Sequence, residues 1–88
     1  MTNEELKKYL LLCEKIKDGV ATDLDIVRKE EIEVFIESIE LRADYLTKKI
    51  FELRYKQGLK WKDVAYAVGG NTADSCRMIA KRYLLKSE

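Results

Sequence analysis

Two runs of apolar residues flank a Gly-Gly-Asn-Thr segment at residues 69–72, and this pattern constrains the fold of the chain most. Apolar residues that recur every three or four positions form one face of an α-helix. The first run contains Val64, Ala65 and Val68, and the second contains Cys76, Ile79, Ala80, Tyr83 and Leu84. Gly69 and Gly70 can adopt the positive φ that ends a helix, and Thr72 is a favoured N-cap. The segment therefore predicts two helices joined by a short turn.

A further helix is predicted immediately before this pair. It begins near Ala43, where Asp44 or a neighbour caps it, and ends at Gln57, because Gly58 can terminate it in the left-handed conformation. Two helices joined by a short turn and supported by a preceding helix form a helix-turn-helix, whose last helix enters the major groove of DNA. DNA binding is therefore the leading functional hypothesis.

The N-terminal part also has helical patterns. Thr2 and Glu5 form a capping box for a helix with Leu6, Tyr9, Leu10, Cys13 and Ile16 on one face. Thr22 can cap a second helix, whose apolar positions are Leu24, Val27, Ile32, Phe35, Ile36 and Ile39. Ile32, Val34 and Ile36 also fit the alternation of a strand, but the Glu-rich background favours a helix.

The chain is therefore predicted to be all-α, with about five helices near residues 3–17, 23–40, 43–57, 60–68 and 72–86. We expect a common core of Ile50, Leu53, Val64, Ala65, Val68, Cys76, Ile79 and Tyr83. Leu11, Leu12 and Val34 lie partly outside the main stripes. Either they form an additional interface, or the two N-terminal helices pack against the C-terminal three and cover them.

The C-terminal region resembles a known family. The segment TADSCRMIAKRYL at residues 72–84 resembles the recognition helix of bacterial sigma factor region four, and LRYKQGLKWKDVAYAVG resembles the helix and turn that precede it there. Small phage-encoded transcription regulators carry a similar module after a variable helical part. The resemblance covers roughly residues 41–84 and implies the fold and the mode of docking to DNA.

Composition agrees with a small folded protein. The 88 residues have room for one compact domain, and 47% hydrophobic with 38% charged residues excludes ordinary disorder. Proline is absent, which favours helices. No signal peptide or membrane span is expected, so the predicted location is the cytoplasm of a bacterial host, associated with the nucleoid. In that compartment Cys13 and Cys76 are expected to be reduced, buried thiols.

The charge is distributed unevenly. Residues 1–40 contain six Lys or Arg and eleven Asp or Glu, a formal charge of −5. Residues 41–88 contain eleven Lys or Arg and five Asp or Glu, a formal charge of +6. The basic region coincides with the predicted helix-turn-helix, so its cations are expected to contact phosphates.

The expected orientation of the last helix, with Cys76, Ile79 and Tyr83 facing the core, predicts which residues contact DNA. The residues expected to contact bases are Asn71, Ala73, Asp74, Ser75, Arg77 and Met78. The residues expected to contact the DNA backbone are Lys48, Lys49, Lys60, Lys62, Thr72, Lys81 and Arg82, with Lys56 as a further cation. Arg77 can donate to guanine or phosphate, Asp74 can accept from cytosine, and Ala73 can touch a thymine methyl group. Trp61, Tyr55 and Tyr83 are expected to pack in the core, and Tyr66 to be exposed.

No enzyme is predicted, because the chain has no histidine, no cysteine pair at metal-binding spacing and no phosphate-binding glycine loop. No cofactor or metal is expected. Two function classes remain. The first is a sequence-specific regulator that binds double-stranded DNA, with the acidic helices serving for homodimerisation or contact with RNA polymerase. The second is a protein-interaction module with the same fold, such as an RNA polymerase-binding factor or an accessory in phage packaging or recombination.

Overall fold

The computed structural model describes residues 1–86, with residues 40–42 described by their backbone only. This part of the chain is helical and contains no strand, as predicted. We label its five helices α1 (Asn3–Lys7 and Tyr9–Lys17), α2 (Asp23–Arg42), α3 (Tyr45–Phe51, continued by a π-helical turn over Glu52–Lys56), α4 (Trp61–Val68) and α5 (Ala73–Lys86). Residues 32–39 lie within α2, which confirms the helical interpretation. The last two residues of the predicted basic region lie outside the described residues.

Side-chain caps fix where the first three helices begin. The hydroxyl of Thr2 accepts from the backbone N–H of Glu5 at 3.2 Å, and Thr22 caps α2 through Asp25 in the same way. The Asp44 carboxylate accepts from the backbone N–H of Thr47 at 2.8 Å. Each cap satisfies an amide that the helix itself leaves without a partner, so these three predicted starts are confirmed.

The end of α3 departs from regular α-helical geometry. Its last turn is π-helical, and the N–H of Gln57 donates to the carbonyl of Glu52 at 3.0 Å. Gly58 follows with a φ of 72°, which ends the helix as the sequence predicts. Arg54 then donates from Nη1 to the carbonyl of Leu59 at 2.9 Å. This bond holds the connection to α4 against the end of α3.

Phe51 lies at the centre of the core. Its side chain is fully buried, and its ring centroid is 5.4 Å from that of Tyr55, 5.5 Å from that of Tyr83 and 6.2 Å from that of Phe35. These rings come from α2, α3 and α5, and the surrounding buried residues belong to all five helices. The acidic and basic regions of the chain therefore share one hydrophobic core.

The predicted core is correct in α3 but needs correction at the end of α4 and in α5. Ile50, Leu53, Val64, Ala65 and Cys76 are buried, as expected, whereas Val68, Ile79 and Tyr83 are only half-buried. The buried positions of α5 are Cys76, Ala80 and Leu84, four residues apart. Because Ala80 is small, α5 can approach its neighbours along this line, which leaves Ile79 and Tyr83 at the edge of the contact.

The N-terminal helices bury only part of the set that was expected. Leu6 and Tyr9 of α1 and Ile32, Ile36 and Ile39 of α2 are buried, as predicted, and Leu12 is buried in addition. Leu10, Ile16, Leu24 and Val27, which were expected on the buried faces, are more than a third exposed. The α-helical hydrogen bonding of α1 is interrupted at Lys8, and the first two turns of α2 have little of the chain packed over them.

A polar network connects α1 and α2. The Tyr9 hydroxyl donates to Oε2 of Glu33 at 2.9 Å, and the Lys29 ammonium donates to the same oxygen at 3.0 Å. The Lys29 ammonium and the Tyr9 hydroxyl hold the pKa of Glu33 below its usual range, while burial and the bond to Glu33 raise the pKa of Tyr9. None of the helices in the described part of the chain has the length and apolar character needed to cross a membrane.

Candidate nucleic-acid interface

The connection between α4 and α5 is a four-residue turn built on two glycines. Gly69 and Gly70 have φ values of 71° and 67°. A Cβ atom at either position would meet no other atom within 4 Å, so the backbone conformation, and not a lack of space, favours glycine here. The hydroxyl of Thr72 accepts from the N–H of Ser75 at 3.1 Å, which confirms Thr72 as the cap of α5.

Among the residues expected to contact bases, three are exposed and three are not. Asp74, Arg77 and Met78 are exposed on α5, whereas Asn71, Ala73 and Ser75 are half-buried. Asn71 donates to the carbonyl of Gly69 at 3.1 Å and accepts from the Ser75 hydroxyl at 3.3 Å. Asn71 and Ser75 therefore stabilise the turn, and their polar groups are already partly satisfied.

Arg77 and Asp74 form an ion pair one helical turn apart. Nη2 of Arg77 is 2.5 Å from Oδ1 of Asp74, and both side chains are mostly exposed. An exposed pair of this kind adds little to stability, so it can separate at small cost. The pair places a donor and an acceptor side by side at the start of α5, with Met78 next to them as an apolar contact.

The residues expected to contact the DNA backbone also fall into two groups. Lys60, Lys62, Lys81 and Arg82 are exposed, and none of the four has an ion pair with the side chains of residues 1–39 or 43–86. Lys49 is half-buried, and the Thr72 hydroxyl serves as the helix cap.

Lys48 lies in an intramolecular ion-pair cluster. Its side chain is 15% exposed, and its Nζ is 3.7 Å from a carboxylate oxygen of Glu37 and 3.9 Å from one of Glu52. Lys56 reaches Glu37 at 3.8 Å as well. A single carboxylate of α2, that of Glu37, therefore pairs with two cations that the sequence assigns to the basic surface.

A cavity of about 430 Å³ lies beside α5, between that helix, the start of α1 and Trp61. Four cationic side chains line it, namely Lys7, Arg54, Arg77 and Lys81. The Arg54 guanidinium lies 4.8 Å from the Trp61 ring centroid, and the Tyr55 hydroxyl donates to Oδ1 of Asn3 at 2.6 Å. Trp61 and Tyr55 pack edge to face, as expected for core aromatics. Lys7 was missed because it lies in α1, outside the predicted helix-turn-helix, whereas Arg54 lies within the predicted supporting helix but was not assigned to the DNA-binding surface.

Both cysteines are free thiols in the structure. Cys76 is fully buried between α5 and the core, and burial raises the pKa of its thiol. A protonated, inaccessible thiol is a packing residue and a poor nucleophile. Cys13 is half-buried in α1.

Comparison of the chain with protein families, with curated proteins and with solved structures finds no significant match.

Proposed function

We propose that the chain is a non-enzymatic, sequence-specific regulator that binds double-stranded DNA through a helix-turn-helix of the sigma region-four kind. One observation carries the proposal. The helix α5 follows α4 after a four-residue turn, buries Cys76, Ala80 and Leu84, and leaves its opposite face exposed. That face is compatible with a helix that enters the major groove.

The charges of α5 support the same proposal. Its exposed residues include Arg77, Lys81, Arg82 and Lys86 but a single carboxylate, Asp74. Lys60 and Lys62, at the start of α4, add two exposed cations. In this proposal Arg77 and Met78 contact base edges, while the lysines and Arg82 contact phosphates.

A second candidate function is a protein-interaction module, such as an RNA polymerase-binding factor. The observation that favours it is apolar exposure on the same face of α5, where Met78 is 44% exposed and Leu85 is 62% exposed. The Arg77–Asp74 ion pair also reduces the charge that this face can present to phosphates. Apolar side chains surrounded by a few charges suit a protein partner.

The proposal is tested by titrating the full chain against a labelled random duplex at two salt concentrations. Non-specific binding at a Kd of about 10⁻⁴ to 10⁻⁶ M is expected at physiological salt. Lys81→Gln should weaken binding to every sequence and reduce the salt slope by about one unit. Lys17→Gln is the matched control, because it removes an exposed lysine at the end of α1, in the acidic half of the chain, and should change neither quantity.

Base contact is tested separately with duplexes selected from a random pool. Arg77→Ala should weaken the binding free energy for the selected sequence by about 1 to 3 kcal/mol and relax the base preference at one position of the site. Absence of binding at ~100 μM at low salt, where non-specific affinity alone should be visible, would exclude DNA and leave the interaction module.

A further inference from the structure

Exposed apolar side chains are concentrated at one end of the molecule. Among the described large apolar residues that are exposed, seven of twelve lie between residues 10 and 27. Leu11 is 52% exposed and Leu24 is 58% exposed, and both belong to the hairpin of α1 and α2. Single exposed apolar residues are ordinary, but Leu11 and Leu24 line the same groove of the hairpin, and a cluster of this kind marks a surface that another molecule covers.

The two helices of this hairpin are antiparallel. Lys15 pairs with Asp25 at 4.0 Å near the connecting turn, and Tyr9 bonds to Glu33 farther from it. A groove runs between the helices on one side of the hairpin, and its apolar lining consists of Met1, Leu11, Leu12, Leu24 and Ile32. Along α2 the groove runs from Leu24 to Ile32, about 12 Å at 1.5 Å per residue, so it can accommodate about two turns of a helix.

The charges at the groove indicate what covers it. Three cations, Lys8, Lys15 and Arg28, and three carboxylates, Glu5, Asp25 and Glu31, line it. The groove is thus formally neutral within a region whose net charge is −5. A basic partner would favour the acidic surface elsewhere. A second copy of the same groove also has equal numbers of cations and carboxylates, so two copies can face each other without net repulsion.

From the apolar lining and the charge balance, we propose that the α1–α2 hairpin is a homodimerisation surface that packs against the hairpin of a second copy as a four-helix arrangement. Pairs of antiparallel helices that have one apolar face left over commonly associate in this way. The inference goes beyond the proposed function and does not depend on DNA binding, because it concerns the opposite, acidic end of the sequence. If both hold, the dimer presents two copies of α5 to a target with two-fold symmetry.

The test is sedimentation equilibrium of the full chain, with Leu11→Glu and Leu24→Glu as the variants. The wild-type protein should be dimeric, and each variant should raise the dimer dissociation constant by roughly tenfold or more, because it buries a carboxylate among apolar side chains. Leu24 lies in the first turn of α2, where a carboxylate is favourable, so Leu24→Glu should fold normally. Far-UV circular dichroism checks this.

Two matched controls keep the test specific. Leu10→Glu makes the same change next to Leu11, at a residue that is similarly exposed but lies outside the groove, and Leu85→Glu makes it on α5. Both should dimerise like the wild type. A wild-type protein that stays monomeric up to about 1 mM, at the weak end of the affinity scale, would overturn the proposal and assign the surface to a different partner. Folded Leu11 and Leu24 variants that dimerise normally would also overturn it. Non-specific DNA binding by Leu24→Glu tests the function of α5 separately.

Discussion

Phe51→Ala is the most informative test of the fold, because Phe51 joins the two halves of the chain. Its ring is fully buried and contacts aromatic rings from α2 and α5 as well as Tyr55 in its own helix. Removing it deletes the ring from all of these contacts and leaves a cavity that the surrounding helices can fill only partly.

The expected loss is large relative to the total stability. Truncating a buried Phe to Ala costs about 3 to 5 kcal/mol. A chain of 88 residues has a free energy of unfolding of about 4 to 13 kcal/mol, at 0.05 to 0.15 kcal/mol per residue. With a urea dependence of about 1 to 1.5 kcal/mol per molar, as for other small domains, the unfolding midpoint should fall by about 2 to 5 M.

The measurement is urea unfolding followed by two probes. Far-UV circular dichroism reports all five helices, and fluorescence reports Trp61, the single tryptophan, at the start of α4. The two transitions should coincide in the wild-type protein and shift together in Phe51→Ala. Tyr45→Ala is the control, because Tyr45 is 70% exposed in the same helix and its loss should change stability by no more than about 0.5 kcal/mol. Separate transitions for the two probes, or equal effects of the two substitutions, would refute the shared core.

Two further predictions test the orientation of α5 and the cap of α3. In the same urea assay, Leu84→Ala should lower the free energy of unfolding by about 2 to 5 kcal/mol. Ile79 is only half-buried, so Ile79→Ala should lower it distinctly less, by about 1 to 2 kcal/mol. The reverse order would mean that α5 is rotated. Asp44→Ala should cost about 0.5 to 2 kcal/mol at neutral pH through loss of the cap. Hydrogen bonds from Thr47 lower the pKa of Asp44, so the stabilising contribution of this cap is present above about pH 4 and is lost as the pH falls through the pKa of the folded state. The free energies of unfolding of wild type and variant should therefore converge in acid. A difference that persists in acid would assign the effect to packing.

Local signals in the sequence were sufficient to predict the helix boundaries. Thr2, Thr22 and Asp44 each cap a helix where the sequence places a cap, and Gly58 ends α3. These features depend on neighbouring residues only, since a cap bonds to an amide two or three positions away. The same holds for the turn at residues 69–72, whose glycines adopt positive φ.

The faces of the helices could not be predicted as well, because they depend on residues far away in the chain. In α5 both Ile79 and Ala80 belong to an apolar stripe, and only the approach of the other helices selects Ala80 as the buried one. In α1 the break at Lys8 changes which leucines face inward, so Leu12 is buried while Leu10 is exposed. Apolar spacing alone is compatible with either choice.

The structure also changes what the charge of the basic region implies for DNA binding. Lys48 and Lys56 share Glu37 of the acidic half, and Arg77 pairs with Asp74, so three of the cations have a carboxylate within the chain.

The exposed cations around α4 and α5 that have no ion pair among the described side chains are Lys60, Lys62, Lys81, Arg82 and Lys86. Five phosphate contacts correspond to a salt slope of about −4.5, whereas adding the paired cations Lys48, Lys56 and Arg77 would give a slope of about −7. A measured slope near the larger value would require the pairs of Glu37 to open on DNA. In that case Glu37→Gln should strengthen binding, because it removes the carboxylate that pairs with Lys56 and one of those that pair with Lys48. With a slope near the smaller value, the same substitution should leave binding to DNA nearly unchanged, and the acidic half would act on α3 without contributing to the interface.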